Sequence, residues 1–282
     1  MKKESAFGAP AIKRAVTGNG TWRNGKAWRS LAGLAGMLAA KRWTFLLVGI
    51  GFLLGRAVIL ETLMPFAAAY FTVIYFMRKD LFAWTALSLA AGSLTAAEPA
   101  TLWIAIEIAV LFLLLKGLET YEKAELSTAP ILVFTATLLV GMFEVFIGDT
   151  LSWYNFMMAV VEAALAFVLT LVFIHAIPVL TMTKKSAALK HEEIICVMIL
   201  LASVMTGAVG WIVYGMSAEH VMSRYMILLF AMAGGAPLGA SVGVVAGLIL
   251  SLADFSAVVQ MSMLAFAGLL AGLLRDGGKM AA

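Results

Sequence analysis

Ten runs of apolar residues fill the chain between Trp43 and Leu274. They occupy residues 43–60, 62–77, 81–97, 100–115, 129–148, 155–180, 194–214, 219–234, 236–253 and 257–274. The breaks between them are short and marked by charged residues, glycine or proline. A helix crossing a ~30 Å hydrocarbon core needs about 20 apolar residues, and the runs approach or reach that length. The pattern predicts an all-α, polytopic bundle of about ten transmembrane helices over residues 43–274. Pro65, Pro99, Pro130 and Pro237 lie near run ends and Pro178 close to the end of the sixth, where a missing backbone N–H is tolerated.

Composition sharpens this picture. Of 282 residues, 63% are hydrophobic and 13% charged, against about 45–50% and 25% in ordinary soluble domains. The mean hydropathy is +0.99. A water-soluble globule of this size could not hide so much apolar surface, and no room remains for a second globular domain. The single cysteine, Cys196, excludes an internal disulfide.

The charges are distributed unevenly. Residues 1–42 carry nine Lys/Arg and one acid, Glu4. A loop rich in Gly and Asn precedes Trp28, Leu31, Leu34 and Leu38, which recur at helical spacing. This predicts a basic cytoplasmic tail with a short amphipathic helix lying on an anionic membrane surface, or a plain approach to the first span. It is not a signal peptide, whose apolar stretch follows its few basic residues directly. With Met1 inside, the inner segments are 1–42, 78–80, 116–128, 181–193, the turn near 235 and the tail after 274. They hold eighteen of the 20 Lys/Arg, while the outer loops hold none and carry Glu61, Glu98, Asp149 and Asp254. An error in one isolated span would invert every later loop and destroy this asymmetry. The positive-inside rule therefore predicts both termini in the cytoplasm, with residues 275–282 the start of a cytoplasmic region.

Arg56, Glu107, Glu144, Glu162 and His175 fall inside the predicted spans. An ionisable group at the bilayer centre costs at least ~2.5–3.5 kcal/mol on insertion scales. Three readings of these groups stay open: hydrogen-bonded struts between helices, an ion or proton pathway, and snorkelling from near a span end. Arg56 has a further choice, an ion pair with Glu61. Gly235, Gly239, Gly243 and Gly247 recur every four residues and Ser251 continues the row; Gly268 and Gly272 repeat the spacing in the last run, Gly51 and Gly55 in the first. Small residues at this spacing let helix backbones approach closely. The partner is a neighbouring helix of the chain or another subunit, so self-association is one expectation, alongside contact with the lipid bilayer. Nucleotide-binding glycine loops, Cys/His metal spacings and nucleophile elbows are absent, and no catalytic, cofactor, metal or nucleic-acid site is expected in this chain.

Several stretches resemble a known family. GFLLGRAVIL at Gly51–Leu60 and MAVVEAALAFVLTLVF at Met158–Phe173 are similar to stage II sporulation protein E of endospore-forming bacteria. EEIICVMILLASVMTG at Glu192–Gly207, AEHVMSRY at Ala218–Tyr225, GVVAGLILSLA at Gly243–Ala253 and QMSMLAFAGLLAGLL at Gln260–Leu274 continue in the same order. The resemblance runs from about Trp43 onward. It implies a ten-span membrane region that, in the family, precedes a cytoplasmic regulatory segment and a PP2C-type serine phosphatase domain. That phosphatase dephosphorylates an anti-anti-sigma factor and so activates the forespore sigma factor. The family protein also associates with the cell-division tubulin homologue and other septal proteins at the polar septum. A divalent metal, manganese, is implied only for the phosphatase domain. The resemblance carries no catalytic residue onto this chain, which is expected to be a fragment or to be encoded without its enzyme. The expected role is membrane anchoring, septal localisation and assembly. The alternative is a small secondary transporter or channel that uses its buried glutamates, since ten spans divide into two halves of opposite topology.

Overall fold

The computed structural model describes residues 43–60, 62–96, 101–120, 125–147, 152–181, 190–213, 215–253 and 258–280. The basic segment 1–42, Glu61, Glu98, Asp149, Asp254 and the loop 182–189 lie outside the described residues. By its contacts the chain divides into Met1–Leu46 and Leu47–Ala282. Of the first unit only residues 43–46 are described, and they are helical; the packed core belongs to the second.

The regular structure of the described residues is helical apart from one small β-hairpin and an isolated Ile59–Leu63 bridge. Helix α1 spans Trp43–Arg56. It is followed by α2 (Pro65–Met77), α3 (Phe82–Leu94), α4 (Thr101–Thr120), a 3₁₀ turn at Leu126–Thr128, α5 (Ala129–Ile147), α6 (Trp153–Leu180) and α7 (His191–Thr206). Strands β1 (Ile212–Val213) and β2 (Met216–Ser217) then lead into α8 (Ala218–Ala253) and α9 (Val258–Met280). Each of the ten apolar runs falls on a helix, with α8 carrying two. Among the described residues, three helices are both long and apolar enough to cross a membrane: Leu126–Ile147, Trp153–Leu180 and Ala218–Leu252.

The third of these is a folded-back pair. Gly235 sits inside α8 at φ 77° and ψ −165°, a backbone state open chiefly to glycine. A Cβ built on Gly239 would lie 2.7 Å from the Ala231 Cβ. In a straight helix these residues, eight apart, would be separated by ~12 Å. The chain therefore reverses at Gly235, and Pro237 opens the second arm, where its missing N–H has no helical partner to lose. Residues 218–234 and 236–253 are the two arms.

Helix α2 lies at the centre. Pro65 through Tyr75 are all buried, as expected for a helix that is apolar on every side. Tyr70 meets Phe173 of α6 edge-on at 6.4 Å, and its hydroxyl donates to the Leu47 carbonyl at 2.7 Å. Tyr75, Phe82 and Phe112 form an aromatic cluster joining α2, α3 and α4, with Phe82 and Phe112 stacked at 5.6 Å. At the same end, Lys79 after α2 pairs with Glu119 of α4. These are two of the segments that the charge pattern assigns to one side.

Several boundaries differ from the apolar runs. The first run continues to residue 60, but α1 ends at Arg56, and the described residues 57–60 and 62–64 of the connection are not helical, with Ala57, Ile59, Leu63 and Met64 buried. Its polar groups are met individually: Ile59 and Leu63 exchange backbone bonds at 2.8 and 2.9 Å, and the Leu60 N–H donates to the Leu252 carbonyl at 2.9 Å. The seventh run continues to residue 214, but α7 ends at Thr206. Gly210 and Gly215 adopt positive φ (80° and 79°) and shape the turn and hairpin. At the C-terminal side α9 continues as helix through Met280, past the predicted end at 274.

An acidic cavity between α5, α6 and the α1–α2 connection

Helices α5 and α6 run antiparallel and pack closely where Gly141 faces Ala159; a Cβ on that glycine would lie 3.0 Å from the alanine methyl. Ser152 caps α6, its hydroxyl accepting from the Tyr154 N–H at 3.3 Å. Beside this contact lies a cavity of about 320 Å³, lined by Thr62, Leu63, Gly141, Glu144, Val145, Tyr154, Asn155, Met158, Ala159 and Glu162.

Two glutamates tie the surrounding helices together. Glu162 of α6 accepts the Met64 N–H at 2.9 Å through Oε1. Met64 is the N-cap of α2, and no side chain of its own caps that helix. A carboxylate placed there satisfies an orphan donor and faces the positive end of the helix dipole. Glu107 of α4 is buried and accepts from the Thr137 hydroxyl of α5 at 2.6 Å. Thus α4 is joined to α5, and α6 to α2, by one carboxylate each. Glu144 lines the cavity mouth and is exposed. Non-helical backbone in an apolar setting is tolerated where it is enclosed by protein or lines a cavity; Ile59 and Met64 are enclosed, and Thr62 and Leu63 line the cavity. The arrangement can hold protons or attract a cation. Among the described residues no group of three or more His, Cys, Asp and Glu could hold a metal ion.

Residues 2–282 match the family model "SpoIIE, N-terminal domain". The chain belongs to the SpoIIE N-terminal domain family. It is similar to stage II sporulation protein E of Bacillus subtilis (strain 168), with 42% identity over 239 residues, covering 84% of this chain and 29% of that protein. The protein of the same name from Priestia megaterium is 62% identical over 42 residues, 15% of this chain and 7% of its own length. The chain thus spans less than a third of the Bacillus subtilis relative. No solved structure matches.

In this SpoIIE N-terminal domain Arg56 and His175, the remaining ionisable groups of the apolar runs singled out above, are not among the residues that line the cavity. The Arg56 guanidinium donates to the Val209 carbonyl at 3.0 Å and lies 4.7 Å from the centre of the Trp211 ring. His175 is exposed, its Nδ1 2.9 Å from the Leu171 carbonyl one turn earlier. The glycine ladder lies against α9 in antiparallel register. A Cβ on Gly239 would strike the Gly268 carbonyl, and one on Gly268 the Gly239 carbonyl. Gly243 faces Leu264 and Ala265, Gly247 faces Met261, and Gly272 faces Gly235 and Ala236. Gly55 and Gly92 bring α1 and α3 together in the same way, against Leu89 and Phe52 backbone respectively. Sequence reasoning did not single out Thr137, Met64, Asn155 or Thr62. The one available signal was Pro65, which starts a helix and leaves the residue before it as the donor to be satisfied.

Proposed function

We propose that this chain is the membrane anchor, localisation and assembly region of a sporulation serine phosphatase. The observation that carries the reading is the 42% identity across 84% of the chain to a sporulation protein over three times its matched length. The apolar helices supply the anchor. The concentration of Lys/Arg in alternate loops supports ten spans with both termini cytoplasmic, so that a domain joined to the C-terminus would face its substrates in the cytoplasm. In this reading the chain carries the enzyme to the polar septum, where partners include the cell-division tubulin homologue, and self-association gathers several copies. Dephosphorylation of an anti-anti-sigma factor belongs to the longer protein. The test is a fluorescent fusion of this chain in an endospore-forming bacterium deleted for its own relative. Enrichment at the asymmetric septum is expected, and uniform membrane fluorescence throughout sporulation would refute it. A second reading, a small transporter, has the acidic cavity and the interrupted α1–α2 backbone in its favour. Ion flux in proteoliposomes that is lost on Glu162→Gln would establish it.

A further inference from the structure

Beside the acidic cavity lies a second one, of about 240 Å³, lined by Met142, Val145, Phe146, Ser152, Trp153 and Phe156. Val145 borders both. The two differ in chemistry. Among the described residues that line it, the first carries two carboxylates and no Lys, Arg or His. Glu162 gives one oxygen to the Met64 N–H, and its other oxygen has no partner among the described residues. Glu144 accepts no hydrogen bond among them. The second cavity is almost wholly aliphatic and aromatic.

These features select a ligand class. Two carboxylates with no cationic side chain among the described lining residues disfavour a free anion. A volume of about 320 Å³ is some ten times the ~30 Å³ share of a water molecule. Calcium takes six to eight oxygens at about 2.3–2.6 Å, more than two carboxylates supply, and among the described residues no group of three or more His, Cys, Asp and Glu could hold a metal ion. An organic cation fits: carboxylate oxygens accept its N–H donors, the face of Tyr154 attracts positive charge, and Leu63 and Met158 offer apolar walls to the adjoining carbons.

We propose that the cavity between α5, α6 and the α1–α2 connection binds an alkylammonium group, with hydrocarbon of the same molecule lying along the apolar cavity beyond Val145. A primary ammonium reaches this site from either of two sources, an ethanolamine phospholipid or a free amine. The proposal is independent of the sporulation reading, because it rests on the two cavities alone.

The full chain is purified and placed in nanodiscs of phosphatidylglycerol, alone or mixed with phosphatidylethanolamine or phosphatidylcholine. Retained lipid is counted by native mass spectrometry, and the thermal unfolding midpoint is recorded. Phosphatidylethanolamine is expected to be retained and to raise the midpoint. Phosphatidylcholine, whose quaternary ammonium has no N–H donors, should bind at least about tenfold more weakly, since a hydrogen bond to a charged group is at stake. Glu144→Gln should weaken retention of phosphatidylethanolamine by at least about tenfold. Glu162→Gln, whose amide oxygen still accepts the Met64 N–H, should do the same. Each variant's midpoint in phosphatidylglycerol alone reports whether it folds. In a separate arm, butylamine is added to phosphatidylglycerol discs; a raised midpoint there, without an effect of phosphatidylethanolamine, assigns the site to a free amine. The proposal is overturned if neither amine source changes the midpoint or is retained above phosphatidylglycerol. It is equally overturned if folded Glu144→Gln and Glu162→Gln proteins respond as the unaltered chain does.

Discussion

Replacing Gly243 by leucine tests the α8–α9 register directly. An ideal Cβ on Gly243 lies 2.6 Å from the Leu264 carbonyl carbon and 2.7 Å from the Ala265 Cα. Ordinary carbon contacts are at about 3.5–4.0 Å, so α9 must retreat by about 1 Å for a methyl alone. No rotamer change relieves the clash, because both opposing atoms are backbone. A gap of about 0.5–1 Å forfeits a quarter to a half of each contact's dispersion well, and the loss extends along the ladder from Gly239 to Gly247. Alanine should therefore cost ~1–3 kcal/mol in overpacking, offset by up to ~1 kcal/mol of helix propensity. Leucine adds three more carbons and should cost ~3 kcal/mol or more, a fall in unfolding midpoint of roughly 6–12 °C. Two controls bracket the effect. Val244→Leu adds volume on an exposed face of the same arm, and Gly49→Ala adds a methyl where nothing lies within 4 Å. The assay is thermal unfolding in detergent with light scattering for oligomer size. The reasoning fails if Gly243→Leu unfolds no earlier than Val244→Leu. It also fails if Gly243→Leu stays equally stable while oligomers dissociate, since the ladder would then face another chain.

Further outcomes rest on the polar contacts and the charge pattern. Glu162→Gln keeps an acceptor for the Met64 N–H and should leave the midpoint within ~1 kcal/mol of the unaltered chain. Glu162→Leu orphans that donor and should cost ~1–3 kcal/mol; equal midpoints would discard the strut. With Cys196 replaced first, an impermeant thiol reagent on intact cells should label Ser152→Cys and spare Ser186→Cys; equal labelling would overturn the proposed topology. The hydrogen bond between Lys79 and Glu119 raises the lysine pKa and lowers that of the glutamate. The lowered acid stabilises the fold above its unfolded pKa and loses this as pH falls through its folded value. The raised amine stabilises below its unfolded pKa and loses this as pH rises through its folded value. The pair's contribution should thus be flat through neutral pH, fading only in acid and in strong alkali. Because the pair is exposed it should be small, and Lys79→Met should barely move a melting curve at neutral pH.

How much of this was legible in the sequence depends on what each feature needs. Helices were legible because long apolar runs with few charges are the mark of membrane-spanning helices. Their ends were less so. Ile59 and Leu63 are as apolar as any spanning residue, yet they sit in extended backbone that pairs with itself. Apolarity reports burial, and burial was achieved there without a helix because α6 and α8 supply the missing hydrogen-bond partners. The reversal at Gly235 was marked by Gly234, Gly235 and Pro237 in succession, a local signal that needs no tertiary knowledge. The glycine ladder was visible as spacing, but its partner was not. The period of four states that something approaches closely and leaves open which helix does.

The acidic cavity shows the same limit in chemical terms. Glu107, Glu144 and Glu162 each stand out in sequence as an expensive charge, and each alone admits a strut, a pathway or a snorkelling side chain. What separates their roles is the neighbour that meets the carboxylate. Glu107 meets the Thr137 hydroxyl on α5, thirty residues away in sequence, and is buried. Glu162 meets the N-terminus of a helix ninety-eight residues earlier. Glu144 meets open cavity. Helical periodicity fixes which residues share a face of one helix, and it is silent about which helices lie side by side. Removing the two kinds of neighbour should therefore have different signatures. Thr137→Val leaves the buried Glu107 carboxylate without its donor and should lower stability by ~1–3 kcal/mol, whereas Glu144→Gln removes no hydrogen bond to a described residue and should leave stability within ~0.5 kcal/mol. Unfolding midpoints in phosphatidylglycerol discs compare the two, and a larger loss for Glu144→Gln would mean that the carboxylates have been assigned the wrong partners.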